Sequence, residues 1–115
     1  MRYHGSCHCG RIAFDVEGEL ERVHECNCSH CSRKGFLLWF VSREQLSLAT
    51  PEADMATYTF HKHVIKHRFC PTCGCAPLSL GSAPDGKPMA AVNVRCLEGV
   101  DSAALTRVQV DGRSF

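Results

Sequence analysis

The sequence predicts an all-β fold, mainly strand with short helical turns, in a single metal-stapled domain spanning 1–115. Three observations predict it. Apolar and β-branched residues recur with period two rather than 3.6. Turn-forming residues such as Glu17-Gly18, Thr50-Pro51 and Pro84-Asp85-Gly86-Lys87-Pro88 interrupt the chain at short intervals. Seven of the nine cysteines fall in three tight clusters of a spacing that suits a metal staple.

The elements follow in order. Ile12 to Val16 reads as a strand with Ile12, Phe14 and Val16 on one face. Further strands are expected at Val23–Cys26, Leu37–Val41, Met55–Phe60, Val64–Phe69, Met89–Val94 and Arg107–Val110. Helical turns are expected at Ser29–Lys34, Arg43–Leu46 and Asp101–Leu105, the last capped by Asp101. If the strand before Cys70 begins at His61, then His61, His63, Ile65, His67 and Phe69 share a face. No long amphipathic helix, repeat, low-complexity tract or linker divides the chain.

Composition removes several function classes. Thirteen Lys and Arg balance twelve Asp and Glu, which argues against a polyanion partner, so no nucleic acid is expected. The start, Met-Arg-Tyr-His-Gly-Ser-Cys, lacks the apolar run of a signal peptide, and Phe36–Val41 is too short to span a bilayer. A cytoplasmic, reducing location is therefore expected, with no membrane partner. The nine cysteines then act as metal ligands or packed thiols rather than as a disulfide framework.

Cys70-Pro-Thr-Cys73-Gly74 has the form of a zinc knuckle, in which two sulfurs three residues apart face one ion. Cys7-His-Cys9-Gly10 offers a complementary pair, again followed by glycine. Sixty residues lie between Cys9 and Cys70, so an ion shared by Cys7, Cys9, Cys70 and Cys73 would close a long loop. If disulfide arithmetic transfers, that closure is worth a few kcal/mol. Cys75 could replace Cys70 through Cys73-Gly-Cys75, but the knuckle turn is preferred. Cys75 and Cys96 are then read as small packed apolar residues.

Cys26-X-Cys28-X2-Cys31 supplies three thiolates within six residues and no evident fourth. Water, a substrate thiol or a histidine (His24, His30, His61, His63 or His67) could complete it. Zinc on three thiolates carries a formal charge of −1. It is a poor generator of hydroxide and is better suited to holding a fourth sulfur as a nucleophilic thiolate. Cations should lie nearby, and Arg33, Lys34, Lys66 and Arg68 are candidates; one such as Arg68 could steady a developing alkoxide.

Taken together, these motifs resemble the glutathione-dependent formaldehyde-activating enzyme family, which includes the domain of centromere protein V. The matching runs are Gly5-Ser-Cys-His-Cys-Gly10, Cys26-Asn-Cys-Ser-His-Cys-Ser-Arg-Lys-Gly35, His67-Arg-Phe-Cys-Pro-Thr-Cys-Gly74 and Val92-Asn-Val-Arg95-Cys96-Leu-Glu-Gly-Val-Asp101. The resemblance implies a fold like that of the Mss4 proteins and two zinc ions per chain. Cys7, Cys9, Cys70 and Cys73 would hold a structural zinc, and Cys26, Cys28 and Cys31 a catalytic one. It also implies condensation of glutathione with formaldehyde to S-(hydroxymethyl)glutathione, a carbon–sulfur lyase activity with a small thiol and an aldehyde as substrates. The alternatives are a non-catalytic protein-interaction module and, behind it, a nucleic-acid-binding zinc domain.

Overall fold

In the computed structural model, which describes residues 1–114, two β-sheets share one apolar core. The smaller sheet joins β1 (Arg2–Ser6), β2 (Ala13–Glu17) and β5 (Leu46–Leu48), paired antiparallel in the order β1-β2-β5. The larger sheet has seven strands: β3 (Arg22–Cys26), β4 (Leu38–Ser42), β6 (Ala56–Tyr58), β7 (Lys66–Phe69), β8 (Leu78–Ser82), β9 (Pro88–Asn93) and β10 (Thr106–Val110). Their order is β10-β3-β4-β9-β8-β7-β6, antiparallel except for the parallel pair β10–β3. A single turn-and-a-half helix, α1 (Ser29–Lys34), follows β3.

Strand alternation explains how the layers are held. On β4, Trp39 and Val41 enter the core shared with Phe14 and Val16 of β2 and Leu46 of β5. Leu38 points the other way and packs with Cys31 and Phe36 around α1. On β9, Ala90 and Val92 join the first core while Ala91 joins the second. The middle of the large sheet is thus covered on both faces, which accounts for the near-continuous apolar run Met89–Val94. At Gly5, an added Cβ would stand 2.5 Å from Phe14 Cζ, so close packing rather than turn geometry requires glycine there.

The all-β expectation holds, and six of the expected strands lie where the alternation put them. Helical turns occur at Arg43–Gln45 and Ser102–Ala104, with Asp101 Oδ1 accepting from the Ala103 N–H at 3.1 Å. Three strands went unforeseen: β1, β5 and β8. The strand leading to Cys70 begins at Lys66 and not at His61 or Val64. His61 and His63 both have φ of +57°, a left-handed backbone that no strand contains, so the expected row of histidines does not form. Among the described residues, no helix is long and apolar enough to cross a membrane.

Candidate metal centres and flanking clefts

Cys7 and Cys9 leave β1 on a turn, and Cys70 and Cys73 leave β7 on another. The Sγ atoms of all four lie within 4.8 Å of one another, although Cys9 and Cys70 are 61 positions apart in sequence. Backbone amides shape both turns. Ile12 N–H donates to Cys7 Sγ at 3.3 Å, and the Thr72 and Cys73 N–H groups donate to Cys70 Sγ at 3.3 and 3.4 Å. Gly74, at φ +78°, lets its N–H reach the Cys70 carbonyl at 2.8 Å. Amide donors at Cys75 and Cys9 lower the Cys73 thiol to about 6. The Arg11 amide pulls Cys9 down too, but its sulfur neighbour Cys70 and burial prevail and raise it to about 11.

A tetrahedral zinc with sulfurs at about 2.3 Å sets neighbouring sulfurs about 3.8 Å apart. The Cys7–Cys9 and Cys9–Cys70 separations of 3.7 and 3.6 Å fit that spacing, and four soft donors suit the ion. The site is packed by Ile12 and Met55, both nearly inaccessible to water.

The second group stands where β3 turns into α1. The Sγ atoms of Cys26, Cys28 and Cys31 lie within 4.8 Å of one another. Cys28 is the N-cap of α1: its sulfur accepts from the Cys31 N–H at 3.2 Å, while Cys26 Sγ accepts from the Cys28 N–H at 3.4 Å. Burial alone would push the Cys28 thiol up, but the Cys31 and His30 amides and its two sulfur neighbours hold it below its ordinary value. Burial, reinforced by Cys28, pushes Cys31 well up. Among the described residues, no histidine, aspartate or glutamate atom joins the three sulfurs. The donor set therefore fits a thiophilic ion bound by three protein ligands.

The glutathione-dependent formaldehyde-activating enzyme family model matches residues 2–109, nearly the whole sequence. The chain belongs to this family. A Rhodobacter sphaeroides protein of known crystal structure, a structural-genomics target, is similar over 94% of this chain and 100% of its own, with 27% identity and a TM-score of 0.77. Family membership ties the protein to glutathione- and formaldehyde-related chemistry, and both cysteine groups could hold a metal ion.

In this family member, α1 divides two hollows. Successive residues of a helix are 100° apart, so Cys31 and Ser32 face one side while Ser29, His30, Arg33 and Lys34 face the other. On the thiolate side, a hollow of about 250 Å³ is bounded by Cys26, Cys31, Phe36, Glu25 and Gln109. Glu25 is tied to Gln109 Nε2 at 2.9 Å and to Arg107 Nη1 at 3.3 Å. The chain after β10 folds back over the sulfurs: Asn27 Nδ2 donates to Asp111 Oδ1 at 2.9 Å, and Arg113 N–H donates to Asn27 Oδ1 at 2.9 Å. This clasp lays Gly112 against Cys26 Sγ. Neither Gly112 nor the clasp was foreseen, because nothing local to Asp111-Gly112-Arg113 marks it as a neighbour of Cys26.

On the other side of α1, a cleft of about 860 Å³ opens toward β6 and β7. His30 turns into it and away from the sulfurs, meeting Phe36, Tyr58, Phe60 and His67 at ring centroid distances of 4.4–5.5 Å. Burial, and then His30, lower His67 to about 4. His67 Nδ1 is held 3.0 Å from Ser79 Oγ. The other candidate histidines also stand apart: His24 packs edge-on against Phe40, and His63 Nδ1 lies 2.8 Å from Thr59 Oγ1.

The expected cations are placed differently from their sequence reading. Arg33 and Lys34 line the larger cleft, across α1 from Cys31. Arg68 is committed to Glu52 Oε1 at 2.7 Å and Thr57 Oγ1 at 2.6 Å, on the opposite face of β7 from His67. Both terminal nitrogens are thus engaged away from the sulfurs, and the Nε is buried without a partner among the described residues. Amide N–H groups, not side-chain cations, are the donors to the Cys26 and Cys28 sulfurs.

Cys75 and Cys96 belong to neither group. Their sulfurs are 3.6 Å apart beside the four-cysteine cluster, and burial, then Cys75, raises the Cys96 thiol to about 12. Cys75 packs against the buried cluster of Cys7, Ile12, Met55 and Cys70, in keeping with its reading as a small packed residue.

Proposed function

We propose that this protein is a zinc-dependent enzyme of carbon–sulfur bond formation that condenses glutathione, or a similar small thiol, with formaldehyde to S-(hydroxymethyl)glutathione. In this reading one domain carries two ions: a structural zinc on Cys7, Cys9, Cys70 and Cys73, and a catalytic zinc on Cys26, Cys28 and Cys31. The observation that carries it is the convergence of three sulfurs, with no fourth side chain among the described residues, at the edge of a hollow. When bound there, zinc supplies the acidity that takes a thiol to its thiolate near neutral pH.

The remaining work belongs to the chain. Cys26, Cys28 and Cys31 set the charge that favours sulfur over water. The amides of Cys28 and Cys31 offset part of that charge and keep the sulfurs aimed at one point. The hollow of about 250 Å³ matches roughly eight waters at about 30 Å³ each. That is room for the reacting end of a thiol and for formaldehyde, with the rest of the thiol lying outside. The thiol S–H bond breaks and a carbon–sulfur bond forms at the aldehyde carbon. The carbonyl π pair moves to oxygen, which takes up the released proton, and no oxidant or reductant is consumed. Holding both reactants together converts a two-body encounter into one within a complex.

Zinc-edge X-ray absorption of the two-zinc protein tests the reading. Glutathione should add one sulfur to the average shell of the second ion, and exchange NMR should show faster hydroxymethyl transfer than in buffer. A shell unchanged by saturating thiol would refute the enzyme and leave a binding module.

A further inference from the structure

The larger cleft lies outside the chemistry just described, since no sulfur lines it. We propose that the cleft between α1 and the β6–β7 edge is a binding site for a small planar aromatic anion, such as an aryl carboxylate.

Three observations carry this. The first is ring geometry. Tyr58 and Phe60 stack with centroids 5.8 Å apart and planes 24° apart, and Phe60 and His67 stack at 5.3 Å and 18°. These three rings form an offset, near-parallel array, and Tyr58 keeps 48% of its surface in water. An exposed aromatic face at the end of such an array is completed by another planar ring, because offset stacking of π systems is favourable beyond the area it buries. A saturated ring of equal size gains the burial alone.

The second is charge. Arg33 and Lys34 stand on the α1 wall, facing the ring array, and no acidic residue lines the cleft. Arg33 is braced by its Nη1 donating to the Ser29 carbonyl at 2.8 Å, which fixes the guanidinium on this side of the helix. A planar guanidinium pairs with a carboxylate through two parallel hydrogen bonds. One wall thus presents π faces and the other presents cations, which together fit a flat body with one anionic end.

The third is room. At about 860 Å³ the volume lies in the range of small-molecule sites, and is more than three times that of the thiolate-side hollow. Gly74 leaves the floor open, for a Cβ there would meet nothing within 4 Å. The row that builds the site is set by register: Tyr58, His67 and Ser79 are direct cross-strand partners on β6, β7 and β8.

The test is a titration of the two-zinc protein with 1-naphthoate, decahydronaphthalene-1-carboxylate and 1-naphthamide, followed by amide and aromatic NMR shifts. Naphthoate should shift the resonances of Tyr58, Phe60, His67 and Arg33. The saturated acid should bind about 5–10-fold more weakly for want of stacking, and the neutral amide about 3–10-fold more weakly for want of the ion pair. Phe60→Leu should weaken naphthoate about 5–10-fold, and Arg33→Gln about 3–10-fold, both with zinc content unchanged. Equal affinity for the flat and saturated acids, shifts confined to other surfaces, or wild-type naphthoate binding by Arg33→Gln would each overturn the proposal. Arg33 is an exposed helix residue whose replacement leaves every core contact in place, so the test does not depend on Phe60→Leu folding.

Discussion

Replacing Gly112 by alanine should weaken the second thiolate site and leave the first untouched. A Cβ at this position would collide with Cys26 Sγ and come within 3.2 Å of Cys28 Cβ. With an ion bound, Cys26 is fixed, so the turn after β10 must lift away. That movement strains the exposed bonds of Asn27 with Asp111 and Arg113. Two such bonds, at roughly 0.5–1.5 kcal/mol each, are worth about 1–3 kcal/mol, and straining rather than breaking them leaves a cost of about 1–2 kcal/mol, within the usual range for an overpacked methyl. Without the ion, the Cys26 side chain is free to rotate away and the cost largely disappears. The difference falls on metal binding, and at about 1.4 kcal/mol per tenfold it corresponds to roughly 5–30-fold lower affinity. Competition with a chromophoric chelator resolves the two ions, and the four-sulfur site serves as the internal control. Wild-type retention of both ions by Gly112→Ala would refute the placement of this turn over Cys26.

Other expectations are as direct. Cys28→Ser should reduce zinc from two per chain toward one with the far-ultraviolet circular dichroism unchanged; loss of both ions or of the fold would contradict the separation of the two groups. Gly5→Ala should destabilise by about 1–3 kcal/mol in urea unfolding, since the new methyl meets Phe14 Cζ at 2.5 Å and Leu97 Cδ2 at 2.9 Å inside the core. His67 adds an acid-sensitive increment. Its folded value of about 4 lies below the ordinary 6.5, so the unfolded chain takes up the proton first and stability falls as pH drops from about 6.5 through 4. The full interval is worth about 3 kcal/mol, and water reaching the ring reduces it to about 1–2 kcal/mol. His67→Phe should therefore lose less stability than the wild type between pH 7 and 5, and parallel pH profiles would count against the burial argument.

The thiolate groups were legible because their information is local. Cys26, Cys28 and Cys31 fall within six residues, and a turn is enough to gather them. The strands that the alternation revealed are those whose inward residues are large, such as Phe14 and Val16 or Trp39 and Val41. β1 stayed hidden because its buried position is Gly5, which carries no apolar signal, and β8 because the alternation Leu78-Ser79-Leu80 is short and bounded by Pro77 and Gly81. The segment His61-Lys-His63 misled for the opposite reason: polar alternation mimicked a strand where the backbone turns left-handed twice. The ring array could not be read at all. Tyr58, His67 and His30 come from β6, β7 and α1, and only the sheet order and the perch of α1 bring them together.

The positions of the two cysteine groups along the chain have a topological consequence. Cys26, Cys28 and Cys31, together with everything from β2 to β7, lie inside the ring of backbone that Cys7, Cys9, Cys70 and Cys73 draw shut. With an ion in each group, the inner trio could be stripped and refilled while that outer knot stays tied, whereas untying the knot would release the trio's scaffold along with it. On the two-zinc reading, demetallation would then have a built-in sequence, in which the emptied but still folded form comes before the unravelled one.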